Sequence, residues 1–174
     1  QLAPTRASVV AGPDRLGDAI RATTHAALVR HRGQTGPVVA AIEMRARLRA
    51  ANPAERADPW ALRRSTGGIL DIELLAQAGM LFHGDRIGVS ADGQRALDTL
   101  GTLAAAGWMT PDEPALLGGR LSMLYALQHV QRNALDTALR PEMVGAELGQ
   151  ILARATGCAD FAEVIERVEQ GSVE

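Results

Sequence analysis

An all-α fold is predicted by three features of the sequence. Ala and Leu are abundant while aromatic residues make up only 3% of the chain, a balance that favours helices over strands, which recruit aromatic and β-branched residues. Apolar residues recur three and four apart, the period of a helix face. Helix start signals such as Pro13-Asp14 and Thr110-Pro111-Asp112-Glu113, and stop signals such as Gly107 and Gly157, divide the chain into helix-length pieces. The expectation is a bundle-like domain of about six to seven helices.

Thr5-Arg6-Ala7-Ser8-Val9-Val10-Ala11-Gly12 reads as short and extended, and Pro13-Asp14 then opens a first helix. Leu16, Ile20, Thr23, Ala27 and Val29 give it a rough apolar stripe as far as Arg30, and Gly33-Gln34-Thr35-Gly36 ends it. Pro37 suits the first position of a second helix running to about Ala51, with Val38, Ile42 and Leu48 on one side and Glu43 four residues before Arg47. Asn52-Pro53 and Asp58-Pro59 mark a loop, because the residue before each proline is pushed out of the helical region. A third helix follows Gly67-Gly68 to about His83, with Gly84-Asp85-Arg86 and Gly88 as the next loop. Ser90 or Asp92 can cap a helix that presents Leu97, Leu100 and Leu103 and stops at Gly107. A capping box at Thr110 and Glu113 starts a long helix to about Leu139, weakened or bent at Gly118-Gly119. After the Arg140-Pro141 break, one helix spans about Glu142 to Ala155, and a last one runs from Asp160 as cap through Val168.

The stretch Arg63-Arg64-Ser65-Thr66-Gly67-Gly68-Ile69-Leu70-Asp71-Ile72-Glu73-Leu74-Leu75-Ala76-Gln77 stands out. Behind the glycines the chain is apolar for more than three turns, broken only by an Asp, a Glu and a Gln, so this helix belongs in the interior. Asp71 falls in the first turn, where a carboxylate faces unpaired N–H groups and the positive end of the helix dipole. Glu73 and Gln77 share a face while Asp71 points to roughly the opposite side, which argues against a paired-carboxylate catalytic site. Arg63 and Arg64 are the nearest candidates to pair with either carboxylate.

Composition closes off several classes of function. The net charge of -2 supplies no global field for nucleic acid or an anionic membrane surface. All 18 basic residues are Arg, so no Lys can form a Schiff base or complete a P-loop. Cys158, the lone cysteine, excludes an internal disulfide and a thiol-based metal site, and a reducing cytoplasm is the expected compartment. The opening Gln1-Leu2-Ala3-Pro4, without an initiator Met, suggests a piece of a longer polypeptide.

Motif by motif, structural readings outweigh chemical ones. His25, His31, His83 and His129 never stand four apart and have no cysteine neighbour, so no zinc site is expected. Ser65-Thr66-Gly67-Gly68 could bind an anion at the helix start, but it lacks the glycine spacing of a P-loop or a dinucleotide fingerprint. Arg45, Arg47 and Arg49 do not share a helix face, so they read as a solvated surface.

The glycine stretch also carries a resemblance. Gly67-Gly68-Ile69-Leu70-Asp71-Ile72-Glu73-Leu74-Leu75-Ala76-Gln77 resembles the Gly-Gly-hydrophobic-x-Asp-Ile-Glu-Phe-hydrophobic-x-Gln signature of the bifunctional glutamine synthetase adenylyltransferases, which also remove the adenylyl group. Thr5 to Gly12 is similar to the passage that closes the family's nucleotidyltransferase domain, and Glu43-Met44-Arg45-Ala46-Arg47-Leu48 to its Glu-Met-Arg-x-Arg segment. Leu97 to Gly107 and Asp160-Phe161 to Val168 resemble two further family helices, in order. The departures are Leu74 in place of Phe and Arg64-Ser65-Thr66 where Gly-Pro often follows a basic residue.

The resemblance implies that residues 1–12 end a nucleotidyltransferase domain and that 13–174 form the helical domain after it, the second of two in such enzymes. It implies a non-catalytic chain, since the family's Gly-Ser loop and magnesium-binding Asp-x-Asp pair have no counterpart here. Arg64, Gly67, Gly68, Asp71, Glu73 and Gln77 become family-motif residues with structural or domain-junction roles. ATP and Mg²⁺ are implied for the parent enzyme only; the implied partners are its own nucleotidyltransferase domain, glutamine synthetase and the PII signal protein, with neither nucleic acid nor membrane. Two other readings stay open: a stand-alone helical interaction or regulator module, and an autonomous enzyme using Asp71 and Glu73.

Overall fold

The computed structural model describes residue 5 and residues 9–30, 33–83 and 96–171. Among them lie eight α-helices: α1 (Asp14–Val29), α2 (Gly36–Ala51), α3 (Pro53–Ala57), α4 (Ile69–Phe82), α5 (Ala96–Ala105), α6 (Glu113–Ala134), α7 (Ala146–Thr156) and α8 (Phe161–Gln170). No strand occurs among the described residues, so the all-α expectation holds. The eighth helix beyond the expected number is α3, a single turn inside what reads as a loop. Pro53 at its first position was the available signal, followed by the helix formers Ala54, Glu55 and Arg56. His31, the Gly84 to Gly88 loop and the candidate caps Ser90 and Asp92 lie outside the described residues.

The chain divides into two compact units, residues 1–46 with 73–117 and residues 47–72 with 118–174. The crossings fall within α2, α4 and α6, so no linker composition marks them. In the first unit Leu28, Met80, Leu81 and Leu103 form a buried cluster, with Trp108 and Met109 packed against it. Gly79 permits that packing: a Cβ there would lie 2.6 Å from the Leu103 methyls and 2.8 Å from the Trp108 ring. The Phe82 carbonyl at the end of α4 accepts the Gly33 N–H at 2.9 Å. α5 ends as expected at Gly107, whose φ of +78° lets Trp108 N–H reach the Leu103 carbonyl. The capping box at α6 is half formed: Glu113 accepts the Thr110 N–H at 2.7 Å. The stripes of α1 and α2 bury less than their spacing suggests, with Leu16, Ile20, Ile42 and Leu48 all exposed.

The second unit is built on Leu62, Ile69, Ile72, Leu121, Leu124, Leu127, Leu139, Leu152, Val164 and Val168, all buried. α6 passes through Gly118-Gly119 as one helix but stops at Ala134, short of the expected Leu139. Asn133 turns its side-chain amide onto the His129 carbonyl, and Asp136 and Thr137 are poor helix formers, so the chain leaves the helix and buries Leu139. α7 likewise starts at Ala146 rather than near Glu142, because Gly145 is extended and Pro141–Met143 forms a separate 3-10 turn. Its end at Gly157 is the expected left-handed stop, with φ +71°. α8 packs on α7 and is capped by Asp160, which accepts the Glu163 N–H at 2.9 Å. Glu163 in turn accepts the Ala159 N–H, and that bond, with Arg167 beside it, holds its carboxyl below the usual range. Arg120 closes the other end of α8, donating to the Arg167 and Val168 carbonyls. Its own burial lowers the guanidinium pKa.

Candidate functional site

The glycine turn and the start of α4 assemble from a short loop that satisfies its own backbone. Asp58 opens it by accepting the Trp60 N–H on Oδ1 at 3.0 Å, a side-chain turn that sends Trp60 and Leu62 inward. Ser65 N–H bonds the Ala61 carbonyl, and Gly68 N–H bonds the Ser65 carbonyl. The first amides of α4 then meet loop carbonyls, Ile69 N–H to Leu62 O at 3.0 Å and Leu70 N–H to Arg63 O at 3.0 Å. Helix-start donors that would otherwise be available to a ligand are thus used within the chain. The anion site weighed at Ser65 to Gly68 is therefore already filled by the protein itself.

Both glycines are demanded by geometry. Gly67 has φ +67°, and a Cβ there would come within 2.6 Å of the Gly171 carbonyl oxygen. At Gly68 a Cβ would sit 2.9 Å from the Leu62 and Ser65 carbonyls. The loop can close on the helix start only because neither residue carries a side chain.

Asp71 reaches back to this turn. Its Oδ2 accepts the Gly67 N–H at 3.1 Å and the Arg49 guanidinium Nη2 at 2.6 Å. The side chains of Arg49 and Asp71 are 18% and 13% exposed, so this is a nearly buried, charge-assisted pair. The first-turn placement of Asp71 is as expected, and Arg49 is one partner that holds it there. The spacing of Arg45, Arg47 and Arg49 reads as a solvated surface, but Arg49 lies 22 residues before Asp71 and the tertiary fold brings it there. Arg64 instead pairs with Glu55 at 3.0 Å, with side chains 50% and 47% exposed.

Arg64, Gly67, Gly68 and Asp71 come together in the second unit, whereas Glu73 and Gln77 belong to the first. Glu73 is half-buried and Gln77 buried, and both are engaged in polar or electrostatic interactions. Three buried polar atoms here, Arg49 Nε, Trp60 Nε1 and Ser65 Oγ, have no hydrogen-bond partner among the described residues. Sequence reasoning missed Arg49, and the only signal it offered was the Arg-x-Arg-x-Arg run itself.

The chain is 27% identical over 173 residues to the bifunctional glutamine synthetase adenylyltransferase/adenylyl-removing enzyme of Bradyrhizobium diazoefficiens, a match covering 97% of this chain and 17% of the relative. It is 27% identical over 177 residues to the enzyme of that name from Rhodopseudomonas palustris strain BisB5, covering 99% and 17%. For the Xanthobacter autotrophicus enzyme the figures are 30% over 160 residues, 92% and 16%. The chain is similar, almost end to end, to one segment of this enzyme family. The resemblance drawn from the glycine stretch is thereby borne out, and the chain spans about one sixth of the length of the adenylyltransferases it matches. No family model matches the chain, and no solved structure matches it.

Proposed function

We propose that this chain acts as a non-catalytic helical domain of a glutamine synthetase adenylyltransferase, the one following its C-terminal nucleotidyltransferase domain, with residues 1–12 as the end of that domain. The observation that carries this reading is the near full-length similarity to one segment of those enzymes. The local geometry supports it: the motif carboxylate Asp71 is occupied by Arg49 and by a backbone amide, an arrangement for holding a turn rather than for moving a proton or a phosphoryl group. In this reading ATP and Mg²⁺ serve the parent enzyme. Among the described residues no three His, Cys, Asp or Glu side chains gather where a metal could sit. The domain instead positions its neighbouring nucleotidyltransferase domain in the cytoplasm and offers surface to glutamine synthetase and to PII. None of its described helices is long and apolar enough to cross a membrane.

Transfer of radiolabel from ATP to glutamine synthetase tests the proposal. The purified chain should give background counts, and an adenylyltransferase polypeptide carrying it should lose activity when Arg49→Ala loosens the turn. Label transfer by the chain alone, or full activity after this segment is deleted, would refute it.

A further inference from the structure

A groove of about 310 Å³ lies beside the glycine turn within the second unit, lined among others by Glu55, Asp58, Trp60, Arg63, Arg64 and Arg140. Its size is at the lower end for ligand sites, which restricts it to a small molecule or a single functional group. Three of its lining residues carry guanidinium groups, and two carry carboxylates. The two carboxylates are not equivalent. Asp58 is locked, with Oδ1 accepting the Trp60 N–H and Oδ2 accepting the Arg140 guanidinium. Glu55 pairs with Arg64 and stands half-exposed on the single-turn helix α3. Exposed pairs of this kind hold by little more than thermal energy, so an incoming anion can displace Glu55 from Arg64.

We propose that this groove binds a phosphate-type oxyanion through the Arg64 guanidinium, with Glu55 as the built-in carboxylate that the anion replaces. A tetrahedral oxyanion suits the setting better than a carboxylate, because it has acceptor oxygens to spare after one guanidinium fork is satisfied. The inference does not depend on the adenylyltransferase role.

Titration calorimetry at constant ionic strength tests it, with inorganic phosphate, phenyl phosphate and acetate as probes. Phosphate should bind saturably in the millimolar range. Arg64→Gln should weaken that binding at least about tenfold, as loss of a charge-assisted contact implies. Glu55→Gln should strengthen it by about two- to fivefold, because the internal competitor is gone. Binding of phenyl phosphate tighter than phosphate assigns a phosphate carried on a larger molecule, and equal binding assigns the free ion; both support the site. No saturable phosphate binding, an unchanged affinity in Arg64→Gln with helical circular dichroism retained, weaker binding in Glu55→Gln, or acetate binding as tightly as phosphate would each overturn the proposal.

Discussion

Two arginine–carboxylate pairs flank the same loop of the second unit and differ in almost everything but chemistry. Arg49–Asp71 is nearly buried at 2.6 Å, and its carboxylate also holds the Gly67 N–H. Arg64–Glu55 is half-exposed at 3.0 Å, and Glu55 sits on a helix of one turn. Burial strengthens the first pair and makes it costly to break from one side, because the orphaned charge would stay in a poor solvent for ions. Water and salt screen the second, which leaves its partners free to exchange. One pair fixes the turn while the other decorates a groove, and sequence spacing alone does not tell them apart.

The turn that the buried pair secures should be the most sensitive point. Gly67→Ala must place a side chain in the left-handed region and within 2.6 Å of a backbone carbonyl, so a loss of about 2–5 kcal/mol is expected in denaturant melts. A loss below about 1 kcal/mol would show that the loop yields easily, and the contrast with the exposed pair would shrink.

The pairs themselves can be compared by double-mutant cycles. Arg49→Ala and Asp71→Ala should each destabilise by about 2–4 kcal/mol, with a coupling energy above about 1.5 kcal/mol. Asp71→Ala should be the more damaging of the two, because it also orphans the Gly67 N–H. Coupling no larger than that of an exposed pair would mean that burial does not separate the two sites.

Which parts of this arrangement were legible in advance follows from the range of each interaction. The glycine turn, the first-turn carboxylate, the Asp160 cap and the stops at Gly107 and Gly157 depend on residues within a turn of one another, and each forms as the sequence implies. Arg49 meets Asp71 across 22 residues and Arg140 meets Asp58 across 82, distances at which no periodicity speaks. Nearest-neighbour reasoning points to Arg63 and Arg64 and passes over Arg49; Arg64 pairs with Glu55, while Arg63 has interactions of its own. The stripes of α1 and α2 failed differently: spacing predicts a shared face, but what covers that face is decided elsewhere in the chain, and Leu16 and Ile42 stay exposed.

The smallest effect is expected at the exposed pair, and it sharpens the comparison most. Arg64→Gln and Glu55→Gln should each shift stability by less than about 0.5 kcal/mol, and their coupling should fall further when salt is added. Arg64 is nonetheless a motif position, the basic residue just before a departure from the family-like signature, so a side chain with little to do for folding stands beside the glycine turn. If its stability contribution is as small as its exposure implies, its reason for being there has to be sought in what it contacts from outside the fold. A coupling energy above about 1 kcal/mol, persisting in high salt, would instead make Arg64–Glu55 a second structural clamp on the loop.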